Sequence, residues 1–415
     1  MVKAIENLWK VCYGGNKKAF SGRTLSTVED KKKMHYRELG KTGFLVSEVG
    51  IGGEYLEYET AETVRDTMHA AMDSGVNILD VFMPEPNIRT NLGSAIKGRR
   101  EKIYIQGHIC SVFENGQYGR TRDLQKSKQY LEDLLVRLQT DYIDIGMLHY
   151  IDTEEEWKKA QENGIIDRML KMKEEGRFRV LGVSSHDSVV AQKLVLSGIF
   201  DVLMFGINPM FDFAMSHEDV RRFLNGLAPE KGEHILIDKN RAELYRLCEQ
   251  KGVGITAMKS LGAGRLLHAA GSPFGIPLSV TQCIHYALTR PGVASALVGA
   301  KSVEEIEEAV GYAEATSEEK DYTALFAKIG RDSAGTCMYC NHCLPCPAEI
   351  DVASVTRLLD EAGQGNRVAA FKKYRDLQVR ASSCISCGAC LKRCPFGVNV
   401  IENMKRASAI FEAEF

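Results

Sequence analysis

Eight of the twelve cysteines stand in two tight runs near the end of this 415-residue chain. The first is Cys337-x-x-Cys340-x-x-Cys343-x-x-Cys346, followed by Pro347; the second is Cys384-x-x-Cys387-x-x-Cys390-x-x-x-Cys394, followed by Pro395. Three thiolates spaced in this way can wrap one face of an iron–sulfur cubane, and a fourth before proline can ligate the other cluster of a two-cluster module. The second run carries that pattern in full. The first is one residue short before Cys346, so the crossover of Cys346 stays open. Zinc would use four thiolates in two C-x-x-C pairs, a poorer account of two triplets with Cys-Pro endings. Disulfide frameworks belong to small secreted domains that cannot build a core, and this chain is long enough to build one. The expectation is two 4Fe–4S clusters. Cys12, Cys110, Cys248 and Cys283 are scattered singly.

The remaining composition narrows the partners. Lys and Arg number 53 against 55 Asp and Glu, a net charge of −2, which gives no general electrostatic case for binding nucleic acid. No apolar run approaches the ~18–20 residues that span a bilayer, and no secretory signal is visible. With 44% apolar and 26% charged residues, the chain reads as ordinary globular protein of two or three domains. A cytoplasmic, anaerobic setting is expected for such thiolate clusters. Residues 1–33 form a basic extension, with eight Lys or Arg against three acids and a helical spacing of Ile5, Leu8, Trp9 and Cys12.

From Tyr36 onward, short β-rich runs alternate with longer helical patterns. The strand runs are Val49–Gly52, Asn77–Val81, Ile103–Gly107, Ile143–Leu148, Val180–Ser184, Val202–Ile207, Gly254–Met258 and Ala296–Gly299. Between them lie helical runs such as Thr60–Ser74, Asn87–Lys97, Leu124–Leu138, Ile165–Glu175, Ser188–Ser197, Arg241–Lys251, Ser279–Leu288 and Val303–Tyr312. Eight such units fit an α/β (β/α)8 TIM barrel better than an open doubly wound sheet. A hairpin from Tyr36–Leu39 through Gly40–Gly43 to Phe44–Val49 would plug its floor. The spacer Phe211–Asn240 is long enough to act as a lid. A further helix, Ser317–Ile329, is expected to lead out of the barrel. The expected division is 1–33 extension, 34–330 barrel, and 331–415 a small helical iron–sulfur domain whose cysteine runs are bridged by a polar helix over Val352–Gln378.

The opening Met34–Gly53 resembles that of the aldo-keto reductases. So do Gly75-Val-Asn-Ile-Leu-Asp80, Asp141-Tyr-Ile-Asp-Ile-Gly-Met-Leu-His149, Arg179-Val-Leu-Gly-Val-Ser184 and Gly299-Ala-Lys-Ser-Val-Glu-Glu-Ile-Glu-Glu308. The resemblance covers about residues 34–315. The C-terminal module resembles a bacterial two-cluster ferredoxin, and the whole chain the subgroup of aldo-keto reductases with such a domain. The resemblance implies an NADP(H)- or NAD(H)-linked hydride transfer to a carbonyl while an acid protonates the oxygen, through an Asp, Tyr, Lys, His tetrad. Asp80 and His149 stand at the family's aspartate and histidine. Glu85 stands where the tyrosine would be, and His108 where the lysine would be.

All four follow or end a strand, on the face where such barrels do chemistry. A carboxylate beside an imidazole raises its pKa and fixes its tautomer. His108 or His149 could then protonate an alkoxide, with Asp80 or Glu85 orienting it. Glu85, between two prolines, reads equally well as a solvated loop acid. Tyr55, Tyr58 and Tyr150 also follow strand ends and offer replacement phenols, whereas His186 reads as structural.

Gly262-Ala-Gly264 and Gly299-Ala-Lys301-Ser302 suit a phosphate cradle at the seventh and eighth strands. Lys301 could meet a 2′-phosphate, favouring NADP, and the resemblance puts Glu308 against adenosine. Ser184 and Lys259 complete the candidate cofactor contacts. Met258 stands where the family stacks an aromatic on nicotinamide, and Met204 and Ser185 where its amide is held. A nicotinamide passes two electrons as hydride and a cluster one at a time. Three readings reconcile them: a carbonyl reductase with a remodelled acid, a ferredoxin-linked reductase using flavin or a substrate radical, or a silent barrel serving as an electron-transfer subunit. A dehydratase with one-electron help is a further rival. The expected partners are a small-molecule substrate and a ferredoxin or other redox protein, with neither nucleic acid nor membrane.

Overall fold

The computed structural model describes residues 34–213, 237–270, 272–325, 337, 343, 346–363, 367–394 and 397–412. The expected leader helix, nearly all of the spacer and Cys340 lie outside the described residues.

Eight parallel strands close into a barrel: β3 (Val49–Gly52), β4 (Ile78–Val81), β5 (Tyr104–Ile109), β8 (Ile143–Leu148), β9 (Phe178–Ser185), β10 (Val202–Gly206), β11 (Gly254–Met258) and β12 (Val293–Val298). The expected (β/α)8 TIM barrel is thus observed. Its strands are nearly continuous buried runs because both faces are covered, the inner by side chains and the outer by helices. The main helices around it are α1 (Ala61–Asp73), α2 (Pro86–Ala95), α3 (Leu124–Leu138), α4 (Glu154–Glu162), α5 (Ile165–Glu174), α6 (Ser188–Leu196), α7 (Pro209–Asp212), α8 (Lys239–Lys251), α9 (Val280–Leu288) and α10 (Val303–Val310).

Helix α3 shows how the sequence sets one unit. Asp123 accepts a hydrogen bond from the Lys126 amide at 2.7 Å, a cap worth about 1 kcal/mol, and the helix ends where Gln139 turns left-handed at φ 55°. Leu131, Leu134, Leu135 and Leu138 form its buried stripe. Leu134→Ala would cost about 2–5 kcal/mol, because the barrel wall cannot collapse fully into the gap.

The floor is plugged by the expected hairpin, β1 (Tyr36–Glu38) against β2 (Leu45–Ser47). Leu39, Phe44 and Val46 pack with Ile78, Ile145, Met147, Val180 and Val202 inside the barrel. At the hairpin turn only glycine fits: Gly40 has φ +55°, and a Cβ there would lie 2.4 Å from the Gly252 carbonyl oxygen. A second hairpin, β6 (Ser111–Glu114) with β7 (Gln117–Arg120), follows β5 and was not expected from the strand pattern.

Beyond the barrel, the expected helix Ser317–Ile329 is corrected over residues 317–325, and residues 326–329 lie outside the described residues. Residues 317–320 form turns and Thr323–Leu325 a short 3-10 helix. The expected bridge over Val352–Gln378 is two helices, α11 (Val352–Gly363) and α12 (Arg367–Arg375). α13 (Ala389–Arg393) and α14 (Val400–Phe411) complete the C-terminal region. Among the described residues no helix is long and apolar enough to cross a membrane.

Candidate functional site

Side chains two apart on a strand share a face, and this periodicity lines up the polar interior. Asp80 on β4, with Gln106 and His108 on β5, points into the barrel, and His149 follows β8 immediately. All four are at most 5% exposed. Asp80 Oδ1 accepts from Gln106 Nε2 at 2.7 Å and lies 2.9 Å from His108 Nε2. Thr256 Oγ1 on β11 donates to Gln106 Oε1 at 3.0 Å, so the carboxylate is tied across the barrel. His108 Nδ1 lies 2.8 Å from His149 Nδ1, and His149 Nε2 lies 2.6 Å from the Tyr118 hydroxyl. The result is an unbroken file, Asp80–His108–His149–Tyr118.

Tyr118 comes from β7, in register with Phe113. Phe82 stacks on the His149 ring at 5.5 Å and meets Tyr118 edge-on at 5.9 Å, which fixes both rings. Tyr118 is 45% exposed as a residue, yet its hydroxyl points inward, and burial pushes its pKa up to about 12. The buried His149 is held well below the usual imidazole range, first by desolvation and then by His108, Arg122, His186 and Arg120. At neutral pH the phenol is therefore protonated and His149 uncharged.

The file opens on a cavity of about 1080 Å³ whose lining runs from Asp80, His108, Tyr118 and His149 to Lys259, Gly264, Gly299, Lys301 and Glu308. Sites for drug-sized ligands and cofactors usually fall in the range of ~300–1,000 Å³. Glu85 lines this cavity too, but its carboxylate is the cap of α2, accepting from the Ile88 amide at 2.8 Å. The structure gives it no hydrogen bond to either imidazole. Tyr58 is 88% exposed. Tyr55 lies over Gly299, where a Cβ would come within 2.2 Å of its ring. Tyr150, left-handed at φ 56°, lies under the Arg120 guanidinium at 3.8 Å. His186 is bound to Asp152 at 3.1 Å.

At the proposed phosphate end, two polar groups stand ready. Lys259 lines the cavity with its ammonium in no ion pair among the described residues, and burial lowers its pKa. Next to it, Ser260 Oγ is buried without a hydrogen-bond partner among the described residues. Buried polar groups are normally paired, so an orphaned hydroxyl beside an unpaired cation fits an absent anion. The space above Gly264 is open. Gly262 instead turns inward, its Cβ position 2.4 Å from Met210. Ser302 Oγ caps α10 by accepting from the Glu305 amide, and the Glu305 carboxylate accepts from the Lys301 amide at 2.9 Å. The Ser184 hydroxyl accepts from the Tyr150 amide at 2.8 Å.

In the C-terminal region, Cys343, Cys346, Cys384, Cys387 and Cys390 line one small chamber with Ile350, Val352, Ile385, Val400, Ile401 and Met404. No three His, Cys, Asp or Glu among the described residues are already gathered at metal-binding spacing. The donor set nevertheless fits a cluster, with soft thiolates in an apolar shell.

Tyr118 and Ser260 were not among the residues singled out from sequence. Asn115-Gly116, with φ 55° and 75°, is a hairpin turn signal, and it would have exposed Tyr118 as a residue carried back over the barrel mouth. Ser260 has no comparable signal.

The sequence profile of the aldo/keto reductase family matches residues 48–274, and that of the 4Fe-4S binding domain matches residues 377–398. An uncharacterized oxidoreductase, YqkF, of Bacillus subtilis (strain 168) is 27% identical, spanning 68% of this chain and 92% of that protein. L-galactose dehydrogenase of Arabidopsis thaliana is 26% identical, spanning 67% and 88%. The holo form of aldo-keto reductase AKR11C1 from Bacillus halodurans superposes with a TM-score of 0.56 at 22% identity, covering 72% of this chain and 97% of that one. The chain therefore belongs to the aldo/keto reductase family, as an oxidoreductase with a 4Fe–4S binding domain after its barrel.

Proposed function

We propose that the barrel (34–330) interconverts a small carbonyl compound and its alcohol, with Tyr118 giving or taking the proton. The observation that carries this reading is the file Asp80–His108–His149–Tyr118, which ends at the cavity. A nicotinamide dinucleotide, when bound, supplies the hydride to the carbonyl carbon. Ser260, Lys259 and the Gly264 backbone would hold its phosphates, and Lys301 and Glu308 would lie toward its adenosine end.

The file moves one proton by three short hops. Before reduction, His108 carries both ring protons and donates to Asp80 and to His149 Nδ1. His149 Nε2–H then donates to the Tyr118 oxygen, leaving the phenolic proton aimed at the substrate. As the carbonyl oxygen takes that proton, each link passes one along. His149 ends with its proton on Nδ1, and His108 keeps only the one facing Asp80. His149 changes tautomer without being charged in either end state, which suits an imidazole that resists protonation. Alcohol oxidation is the reverse.

We further propose that residues 331–415 hold two 4Fe–4S clusters. Cys384, Cys387 and Cys390 would bind one with Cys346, and Cys337, Cys340 and Cys343 the other with Cys394. The shared chamber supports the crossover of Cys346. Each cluster would pass single electrons. The test is anaerobic purification, with turnover of small aldehydes and ketones under NADPH and NADH and analysis of iron and acid-labile sulfide. The reading expects nicotinamide-dependent turnover and about eight iron atoms per chain. Zinc without sulfide refutes the cluster assignment, and bound flavin with no nicotinamide affinity refutes the barrel assignment.

A further inference from the structure

We propose that the exposed end of the second cysteine run is the docking face for an acidic one-electron carrier protein. This rests on the reading that Cys384, Cys387 and Cys390 hold a cluster. Ile385 is 66% exposed and Leu391 37% exposed, and Cys387 is exposed between them. Two exposed aliphatic residues thus stand on either side, in sequence, of a ligand through which an electron would enter or leave.

Isolated surface aliphatics need no explanation, but the sequence around these two is strongly basic. Residues 367–406 carry nine Lys or Arg and two acids, Asp376 and Glu402, in a chain whose net charge is −2. Lys392 adjoins Leu391 on α13. Lys405 lies one turn beyond Ile401 on α14, and Ile401 lines the cysteine chamber. Lys392, Lys405 and Arg406 are exposed. An apolar centre with a basic rim matches an acidic partner, because opposite potentials steer encounter while a small apolar contact holds the pair briefly.

The geometry also points away from direct exchange with the barrel cavity. No described residue beyond Ala309 lines that cavity. Arg357 of the module lies 3.4 Å from Glu249 near the end of α8, on the floor side of the barrel. That helix leads to Gly254, the first residue of β11, whereas Lys259 follows the last. A strand of this length separates the two ends by roughly 17 Å. A separate protein therefore exchanges electrons with the cluster, one being oxidised by one electron as the other is reduced.

The test uses the iron-loaded full chain, an acidic flavodoxin as probe and a basic cytochrome c as the opposite charge. Binding is measured anaerobically by calorimetry. The flavodoxin should bind, and its Kd should rise about tenfold or more between about 0.05 and about 0.3 M salt, as screening shortens the reach of the charges. The double variant Lys392→Glu, Lys405→Glu should weaken binding about tenfold at low salt. Leu391→Ser, at a side chain that does not line the cysteine chamber, should weaken it with iron content unchanged. Lys171→Glu, an exposed lysine on α5 of the barrel, should leave it unaltered. Iron-loaded protein that ignores flavodoxin, binds cytochrome c equally well, or responds equally to Lys171→Glu overturns the docking face. Protein isolated without iron and sulfide overturns the cluster reading instead.

Discussion

Replacing Tyr118 with phenylalanine removes one atom from the site. The ring keeps its edge contacts with Phe82 and His149, both at 5.9 Å, so the hairpin should stay in place. What disappears is the 2.6 Å hydrogen bond to His149 Nε2 and the only hydroxyl that the file presents to the cavity. A lost hydrogen bond costs about 1 kcal/mol of stability, a shift of a few degrees in Tm. The loss of a positioned general acid costs on the order of 10²–10⁴ in rate, or ~3–5 kcal/mol of barrier. The assay is steady-state reduction of a carbonyl substrate under NADPH, with dinucleotide affinity measured separately by fluorescence. The account expects kcat to fall by that factor while dinucleotide binding is unchanged. A Tyr118→Phe enzyme of normal kcat, with Tyr55→Phe or Tyr150→Phe inactive, would refute the reasoning.

Three further outcomes follow from the same geometry. His149 has its folded pKa depressed below the unfolded value of ~6.5, so its contribution is full above that pH and is lost as pH falls toward the folded value. Thermal melts should therefore show Tm falling below about pH 6.5, and His149→Asn should flatten that slope. Glu85→Ala should cost about 1 kcal/mol by removing the cap of α2, and kinetics at a temperature where it stays folded should show kcat within a few-fold of the parent. Ser260→Ala should weaken NADPH and NADH alike, whereas Lys301→Ala should weaken NADPH more, because only NADPH offers a 2′-phosphate; equal losses for Lys301→Ala show that it does not read that group.

Much of the barrel was legible because its strands are short apolar runs between helical periods. Val49–Gly52, Ile143–Leu148 and Gly254–Met258 are observed with the bounds that the pattern gives. Asp80, His108 and His149 were legible as a group, since each falls at a strand end and the closure of the sheet brings those ends together. Glu85 was legible only as an alternative, an orienting acid or a loop carboxylate, and the structure gives it the cap of α2. Pro86 at the first position of α2 makes the preceding residue a natural cap, and the capping bond turns the carboxylate back onto its own helix. Tyr118 stands outside the barrel strands, nine residues past the end of β5, and reaches the file only because the β6–β7 hairpin carries its hydroxyl back to His149, a tertiary fact that the periodicity of the barrel strands does not encode. The turn in place of the helix at residues 317–320 shows the converse limit: Thr316 and Glu319 make the reciprocal pair of a helix start, and the turn is not continued into an α-helix.

The most direct test of the proton file is the ring nitrogen signals of His149, followed by ¹⁵N NMR through a pH titration of the anaerobic protein. The account predicts a neutral His149 throughout the neutral range, changing from the Nε2–H to the Nδ1–H tautomer as pH rises and the file loses its proton. In Tyr118→Phe the Nε2 signal should shift, because its partner at 2.6 Å is gone. A His149 that becomes an imidazolium near neutrality, or that keeps one tautomer at every pH and is indifferent to Tyr118→Phe, contradicts the account.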